Sequence, residues 1–267
     1  MDNIISFHRA KTIAIANQKG GVGKTTTVIN LASALAMSHK KVLVIDLDSQ
    51  GNASTGLGCE HKNRIETIGD ALTGGKDIEE TIYKTQTDNL FLIPATTQLI
   101  QTEIDLDRHY SRLKEIIFSL KSKYDYILID CSPSLGTLTL NALTASDKVL
   151  IPLQTEFFAL EGLNHLIQTI SSVKRDLNAS LDIEGVILTM YDRRNNLSEV
   201  VANDVRQCFG DLVYNTIIPR NVKLSEATSY GKPILLYDIN SSGAEAYIEL
   251  SAEFLERQTQ KEEQKVA

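Results

Sequence analysis

The chain has 267 residues, 42% of them hydrophobic and 23% charged, with a formal net charge of −7. This balance is ordinary for a globular protein and excludes wholesale disorder, a collagen-like repeat and a coiled-coil rod. The negative total also excludes default attraction to nucleic-acid phosphates, so any such contact needs a local basic surface.

Residues 1–10 contain no apolar stretch of the signal-peptide kind. No later apolar run approaches the roughly 18 residues of a membrane span, so a cytoplasmic protein is expected. The first aliphatic run, 12–16 (TIAIA), predicts a strand. It leads directly into residues 17–27, NQKGGVGKTTT, and then into a helix marked by Val28, Leu31 and Leu35. A glycine-rich turn between a strand and a helix lets successive backbone N–H groups face an anion. The helix N-terminus adds partial positive charge. Lys24 is placed to reach β- and γ-phosphates, and the Thr25 hydroxyl to ligate Mg²⁺. The standard loop opens with glycine where Gln18 stands here, and a second lysine, Lys19, sits at the entrance. The competing interpretation is a glycine-rich turn that binds nothing; spacing, strand and helix together argue against it.

The second run, 41–46 (KVLVID), ends in Asp46, with Asp48 two residues on. On an extended segment both project to one side, at the strand end where α/β sheets bind ligands. Either carboxylate is a candidate to orient an attacking water, or the pair only caps the next turn. Residues 89–93 (NLFLI) predict another strand, and 126–130 (YILID) one that ends in Asp130, placed to hold the water shell of Mg²⁺. Cys131 has no accompanying His and reads as a small buried residue. With Cys59 and Cys208 it makes three cysteines and no CxxC, which suits a reducing compartment.

Residues 149–153 (VLIPL), 185–189 (GVILT) and 234–237 (ILLY) complete the predicted strands. Further helical stripes are Leu163, Leu166, Ile167, Ile170 and Val173; Leu197, Val200, Val201, Val205 and Cys208; and Ala246, Tyr247, Leu250 and Phe254. Nearly continuous apolar strands alternating with amphipathic helices predict an α/β fold. Its mostly parallel sheet is covered by helices on both faces in three layers. One domain is expected over residues 11–256, after an extension at 1–10 and before a polar tail at 257–267 that frays.

These motifs, with DCSPSL at 130–135, Glu161-Gly162, LTMYD at 188–192 and IPRNVKLSE at 218–226, resemble the ParA/Soj partitioning ATPases. That group belongs among the MinD/ParA ATPases with a deviant Walker A loop, and the resemblance runs over about residues 11–255. It implies a P-loop NTPase fold, ATP and Mg²⁺ as cofactors, and a homodimer with two ATP molecules sandwiched between the protomers. Lys19 would reach the partner's nucleotide, and Gly20 would lie at the dimer face. Gly21, Val22, Gly23, Lys24, Thr25 and Thr26 would complete the phosphate cradle. Asp48 would position the hydrolytic water, and Thr25 and Asp130 would serve the metal. Met190, Pro219 and Asn221 fall where the family contacts the base.

The resemblance also implies non-specific binding of double-stranded DNA, association with the nucleoid, and a ParB-like centromere-binding protein that accelerates hydrolysis. Arg194 and Lys223 match the family's DNA-contacting cations. Residues 171–232 carry eight positive and eight negative side chains, so the segment is neutral while the rest holds the whole −7. The sequence departs from the family at Ser49, Ser132 and Thr228, where proline is usual; each touches loop stiffness rather than a charged group. A MinD-like or other cargo-positioning ATPase is the alternative. Residues 257–267 carry one sizeable aliphatic side chain, Val266, too little for a membrane-binding helix. With about ten residues before the first strand, site-specific DNA reading by an N-terminal helix-turn-helix module is not expected.

Overall fold

The computed structural model describes residues 9–266. Its sheet has seven strands: β1 (Lys11–Ile15), β2 (Val42–Leu47), β3 (Tyr83–Lys84), β4 (Leu90–Ile93), β5 (Tyr126–Cys131), β6 (Lys148–Gln154) and β7 (Asp182–Thr189). Their spatial order is β3-β4-β2-β5-β1-β6-β7, with every neighbouring pair parallel except β3 and β4. The helices in chain order are α1 (Lys24–Met37), α2 (Asn52–Gly56), α3 (Ile68–Thr73), α4 (Leu99–Asp105), α5 (Arg112–Ile116), α6 (Thr137–Ala145), α7 (Ala159–Asp176), α8 (Asn196–Phe209), α9 (Val222–Ser229), α10 (Ile234–Tyr237) and α11 (Ser242–Val266).

The apolar strand runs are explained by burial on both faces. Ile13 and Ile15 pack with Val28, Leu35, Tyr247, Leu250 and Phe254 under α1 and α11. Ala14, between them, faces the opposite layer with Leu43, Ile45, Ile127, Leu163 and Leu166. Alternating side chains therefore feed two cores, and the strand interiors are almost wholly apolar, with Thr12 in β1 and Glu184 in β7 as buried polar exceptions.

Three expectations need correction. Residues 234–237 form helix α10, not a strand. Pro233 precedes it, the Ile234 N–H donates to Asn30 Oδ1 on α1 at 2.7 Å, and Ile234 and Leu235 are buried. The polar stretch 257–266 does not fray but extends α11. Arg257 donates to Glu253 and to the carbonyls of Asp211 and Val213, and Gln258 donates to the buried Glu184 at 2.8 Å. On α8 the buried stripe is Ser198, Val201, Ala202 and Val205, while Leu197, Val200 and Cys208 are exposed. The expected extension at 1–10 lies outside the described residues except for its last two positions.

The strand order matters for chemistry. β5 lies between β1 and β2, and its register sets Asp130 beside Ile15 on one side and Asp46 on the other. The carboxyl ends of three adjacent strands therefore deliver the glycine-rich loop, the Asp46–Asp48 pair and Asp130 to one edge.

Candidate nucleotide site

The loop between β1 and α1 is shaped by left-handed backbone at Gly21 (φ 75°) and Gly23 (φ 89°). Gly23 caps α1 without any side-chain hydrogen bond, so the first N–H groups of the helix remain for an anion. The loop is tied down from behind. Asn17 Nδ2 donates to Pro152 O at 2.8 Å and Thr189 Oγ1 donates to Val22 O at 2.8 Å. Asn17 Oδ1 accepts from the Lys19 N–H at 3.0 Å. Neither Asn17 nor Thr189 was singled out from sequence, although both stand at strand ends beside the loop.

The two lysines point to different environments. Lys24 is buried, and its Nζ donates to Lys19 O at 3.0 Å across the mouth of the loop. Burial lowers its pKa, while Asp130 and Asp48 act to keep it charged. The Lys19 side chain is 45% exposed and ion-pairs with Glu156, just beyond β6. Glu156 was not anticipated from sequence. Gly20 and Gly21 face open space, and Thr25, Thr26, Asp48 and Ser132 line the same phosphate-side cavity.

The three carboxylates divide their roles by burial. Asp46 is fully buried and spent on structure: its Oδ2 accepts from Ser54 N and Oγ at 2.8 and 2.6 Å, and its Oδ1 from Asp48 N at 3.2 Å. Asp48 is partly exposed, and its Oδ1 accepts from Gln50 N at 3.0 Å. Asp130 is fully buried, and neither carboxylate oxygen has a partner of ordinary hydrogen-bond geometry. Burial, and then the facing Asp46, push its pKa well above the usual range. A buried carboxylate so poorly satisfied, beside a threonine hydroxyl and a lysine, is the environment a hydrated divalent cation relieves. Cys131 is buried, and burial pushes its thiol far up, which removes it as a nucleophile.

Asp46 gives a pH prediction. Burial raises its pKa from 3.8 to about 6, with the Ser54 hydrogen bonds opposing. The folded chain thus holds this proton more tightly than the unfolded chain. The stability it confers is complete below about pH 4 and is lost as pH rises through about 6. Asp130 shifts in the same direction. Nucleotide-free Asp46→Asn is expected to show a flatter fall of Tm between pH 4 and 7 than wild type. Parallel curves would contradict this.

A second cavity, of about 320 Å³, opens beside the first and is lined by Gly23, Thr26, Met190, Pro219, Asn221 and Tyr247 among others. It exists because residues 213–220 run alongside β7. Tyr191 pairs with Pro219, Ile218 N donates to Leu188 O at 2.9 Å, and Met190 turns with φ 50°. Met190, Pro219 and Asn221 are thus brought together next to the phosphate loop. The Asn221 side chain is already engaged, however. Its Oδ1 caps α9 at Lys223 N and its Nδ2 donates to Ser242 Oγ at 2.8 Å.

Arg194 and Lys223 both lie on the surface, and each has an acidic partner. Arg194 pairs with Asp192 at 2.9 Å and holds that carboxyl down at about 2. Lys223 pairs with Glu226 at 2.9 Å and lies over the Tyr237 ring. Arg193, Arg194 and Arg220 line one groove together with Asp192, Glu245 and Glu249. Among the described residues no helix is long and apolar enough to cross a membrane.

Comparison with known proteins agrees with this geometry. A family model described as an AAA domain matches residues 10–183. The chromosome partitioning protein ParA of Caulobacter vibrioides is 51% identical over 259 residues, covering 95% of this chain and 97% of that one. The sporulation initiation inhibitor protein Soj of Bacillus subtilis is 53% identical over 246 residues, covering 91% and 97%. A solved structure titled cobyrinic acid a,c-diamide synthase from Mycobacterium smegmatis, with bound ATP analogue and magnesium, superposes with a TM-score of 0.81. It shares 33% identity and covers 94% of this chain and 96% of that one.

Proposed function

Because the chain belongs to the ParA/Soj family of partitioning ATPases, we propose that it hydrolyses ATP as an ATP-sandwich homodimer whose paired state holds DNA. The observation that carries this is the division of labour between the two loop lysines. Lys24 is buried over the phosphate cradle, whereas Lys19 projects half-exposed from the loop entrance. One cation serves its own chain's nucleotide, and the other, half-exposed and paired with Glu156, can exchange that partner for the nucleotide of a second copy. Two triphosphates facing each other repel, and a lysine lent by each protomer offsets that repulsion in a partly dry interface.

The site residues fit ATP with Mg²⁺. Thr25 and Asp130 would hold the ion through the hydroxyl and its water shell. When bound, the ion neutralises charge on the β- and γ-phosphate oxygens. The open N–H groups at the start of α1 and the Lys24 ammonium hold the phosphates, and Met190, Pro219 and Asn221 border the base. With its amide committed to Ser242 and to the α9 cap, Asn221 contributes to the base pocket through its position. Asp48, the carboxylate neither buried nor consumed by a structural network, orients the attacking water. ATP shifts the equilibrium to the pair, and loss of the γ-phosphate releases it. A ParB-like centromere-binding protein stimulates that step, and the cargo is chromosome or plasmid DNA, with the ATP form associated with the nucleoid in the cytoplasm.

DNA is held without sequence preference through Arg194 and Lys223. Each must exchange its carboxylate partner for a phosphate, so one protomer binds weakly and two copies bind together. Retention of mixed-sequence duplex is expected with ATP and not with ADP. Arg194→Ala or Lys223→Ala should weaken binding to all sequences alike and, with two copies per bound pair, reduce the log–log salt slope by about two. Unchanged retention by both variants with ATP would contradict the assignment.

A further inference from the structure

Arg64 is 92% buried by residue and makes no ion pair among the described residues, yet its guanidinium makes four hydrogen bonds to neutral acceptors, at Cys59 O, Ala95 O and Thr55 Oγ1. A buried cation held only by carbonyls and a hydroxyl is expensive to keep and needs a reason beyond packing. The acceptors supply one. Thr55 Oγ1, which receives Nη2 at 2.7 Å, donates in turn to Gly51 O at 3.1 Å. The Gly51 N–H donates to Asp48 O at 2.9 Å. Ala95, whose carbonyl accepts Nη1 at 3.0 Å, donates its N–H to Ser54 Oγ at 3.0 Å, and Ser54 Oγ donates to Asp46. A closed chain of hydrogen bonds therefore leaves β2 at Asp46, passes through Ser54, Ala95, Arg64, Thr55 and Gly51, and returns to the backbone at Asp48. Gly51 is left-handed (φ 63°), and a Cβ there would lie 2.2 Å from Arg64 Nη1, so guanidinium and turn are fitted to each other.

We propose that Arg64 is a positioning residue for hydrolysis, holding the loop after β2 so that Asp48 meets the attacking water. This rests on Asp48 serving as the water-orienting group. Arg64 touches neither cradle nor base pocket, so its loss should act on the chemical step rather than on nucleotide affinity. A displacement of about 1 Å at a reacting group is enough for a loss on the order of 10²-fold.

The test measures kcat and KM for ATP hydrolysis by the full chain, without a partner, for wild type, Arg64→Met, Arg64→Lys, Thr55→Val and Asp48→Ala. Arg64→Met and Thr55→Val are expected to lower kcat by about 10-fold or more with KM within about twofold. Arg64→Lys should recover part of the loss, because an ammonium reaches some of the acceptors but lacks the planar fork. Thr55→Val breaks the relay while keeping the guanidinium, and it decides the matter alone if Arg64→Met does not fold. Wild-type kcat in folded Arg64→Met or in Thr55→Val, or a rise in KM at constant kcat, overturns the proposal. Should Asp48→Ala itself turn over like wild type, the role of Asp48 fails; an inactive Asp48→Ala beside a fully active Thr55→Val defeats only the role of Arg64.

Discussion

Asp48→Ala is expected to bind ATP with near-wild-type affinity and to hydrolyse it on the order of 10²–10⁴-fold more slowly. The expectation follows from what distinguishes three neighbouring carboxylates. Asp46 is closed off by Ser54 and the backbone of its own loop. Asp130 is fully buried beside the Thr25 hydroxyl and Lys24, away from the open wall where a water would attack, which suits a metal's water shell. Only Asp48 stands partly exposed on the wall of the phosphate-side cavity, anchored by one contact at Gln50 N. Removing it leaves the cradle, Lys24 and Thr25 untouched, so binding survives while the water loses its orientation. Single-turnover hydrolysis with a parallel nucleotide titration measures both quantities. Turnover within a few-fold of wild type would contradict the assignment.

Lys19→Ala is expected to retain one nucleotide per chain and to lose the ATP-dependent pair, with dimer affinity down by about 10²-fold or more. Removing one partner of a desolvated charge pair costs about 3–5 kcal/mol, and here each dimer loses two such lysines. The Lys19 side chain is engaged with Glu156 in the single chain, so pairing exchanges one anion for another rather than exposing a bare ammonium. Sedimentation velocity with ATP, run against Asp48→Ala as the trapped reference, reads the effect. A Lys19→Ala dimer as tight as that of the reference would show that the lysine serves only its own chain.

Motif spacing and apolar runs made the scaffold legible because they report local requirements. The 12–16, 41–46 and 126–130 runs are strands since both their faces are buried, and two glycines of the phosphate loop, Gly21 and Gly23, are where the backbone turns left-handed. The failures are equally physical. Residues 234–237 are too few to show a period, and their form is decided by Asn30, more than 200 positions away. The tail beyond residue 256 is polar in sequence, but it is held as helix by Glu253 within α11 and by Glu184 from β7. Asp46 and Asp48 look alike on one strand end; only Ser54 and the Arg64 network, supplied by later segments, close off the first and leave the second open to the cavity. Asn221 lines the cavity beside the phosphate loop, as its motif suggested, whereas its commitment to Ser242 depends on the start of α11.

The most direct measurement is the mass of the full chain in solution with Mg²⁺ and saturating ATP or ADP, using Asp48→Ala to stop turnover. A triphosphate clamped between two protomers requires about twice the 29.5 kDa chain mass with ATP and a single chain with ADP. A single chain in both, with nucleotide bound, would contradict it.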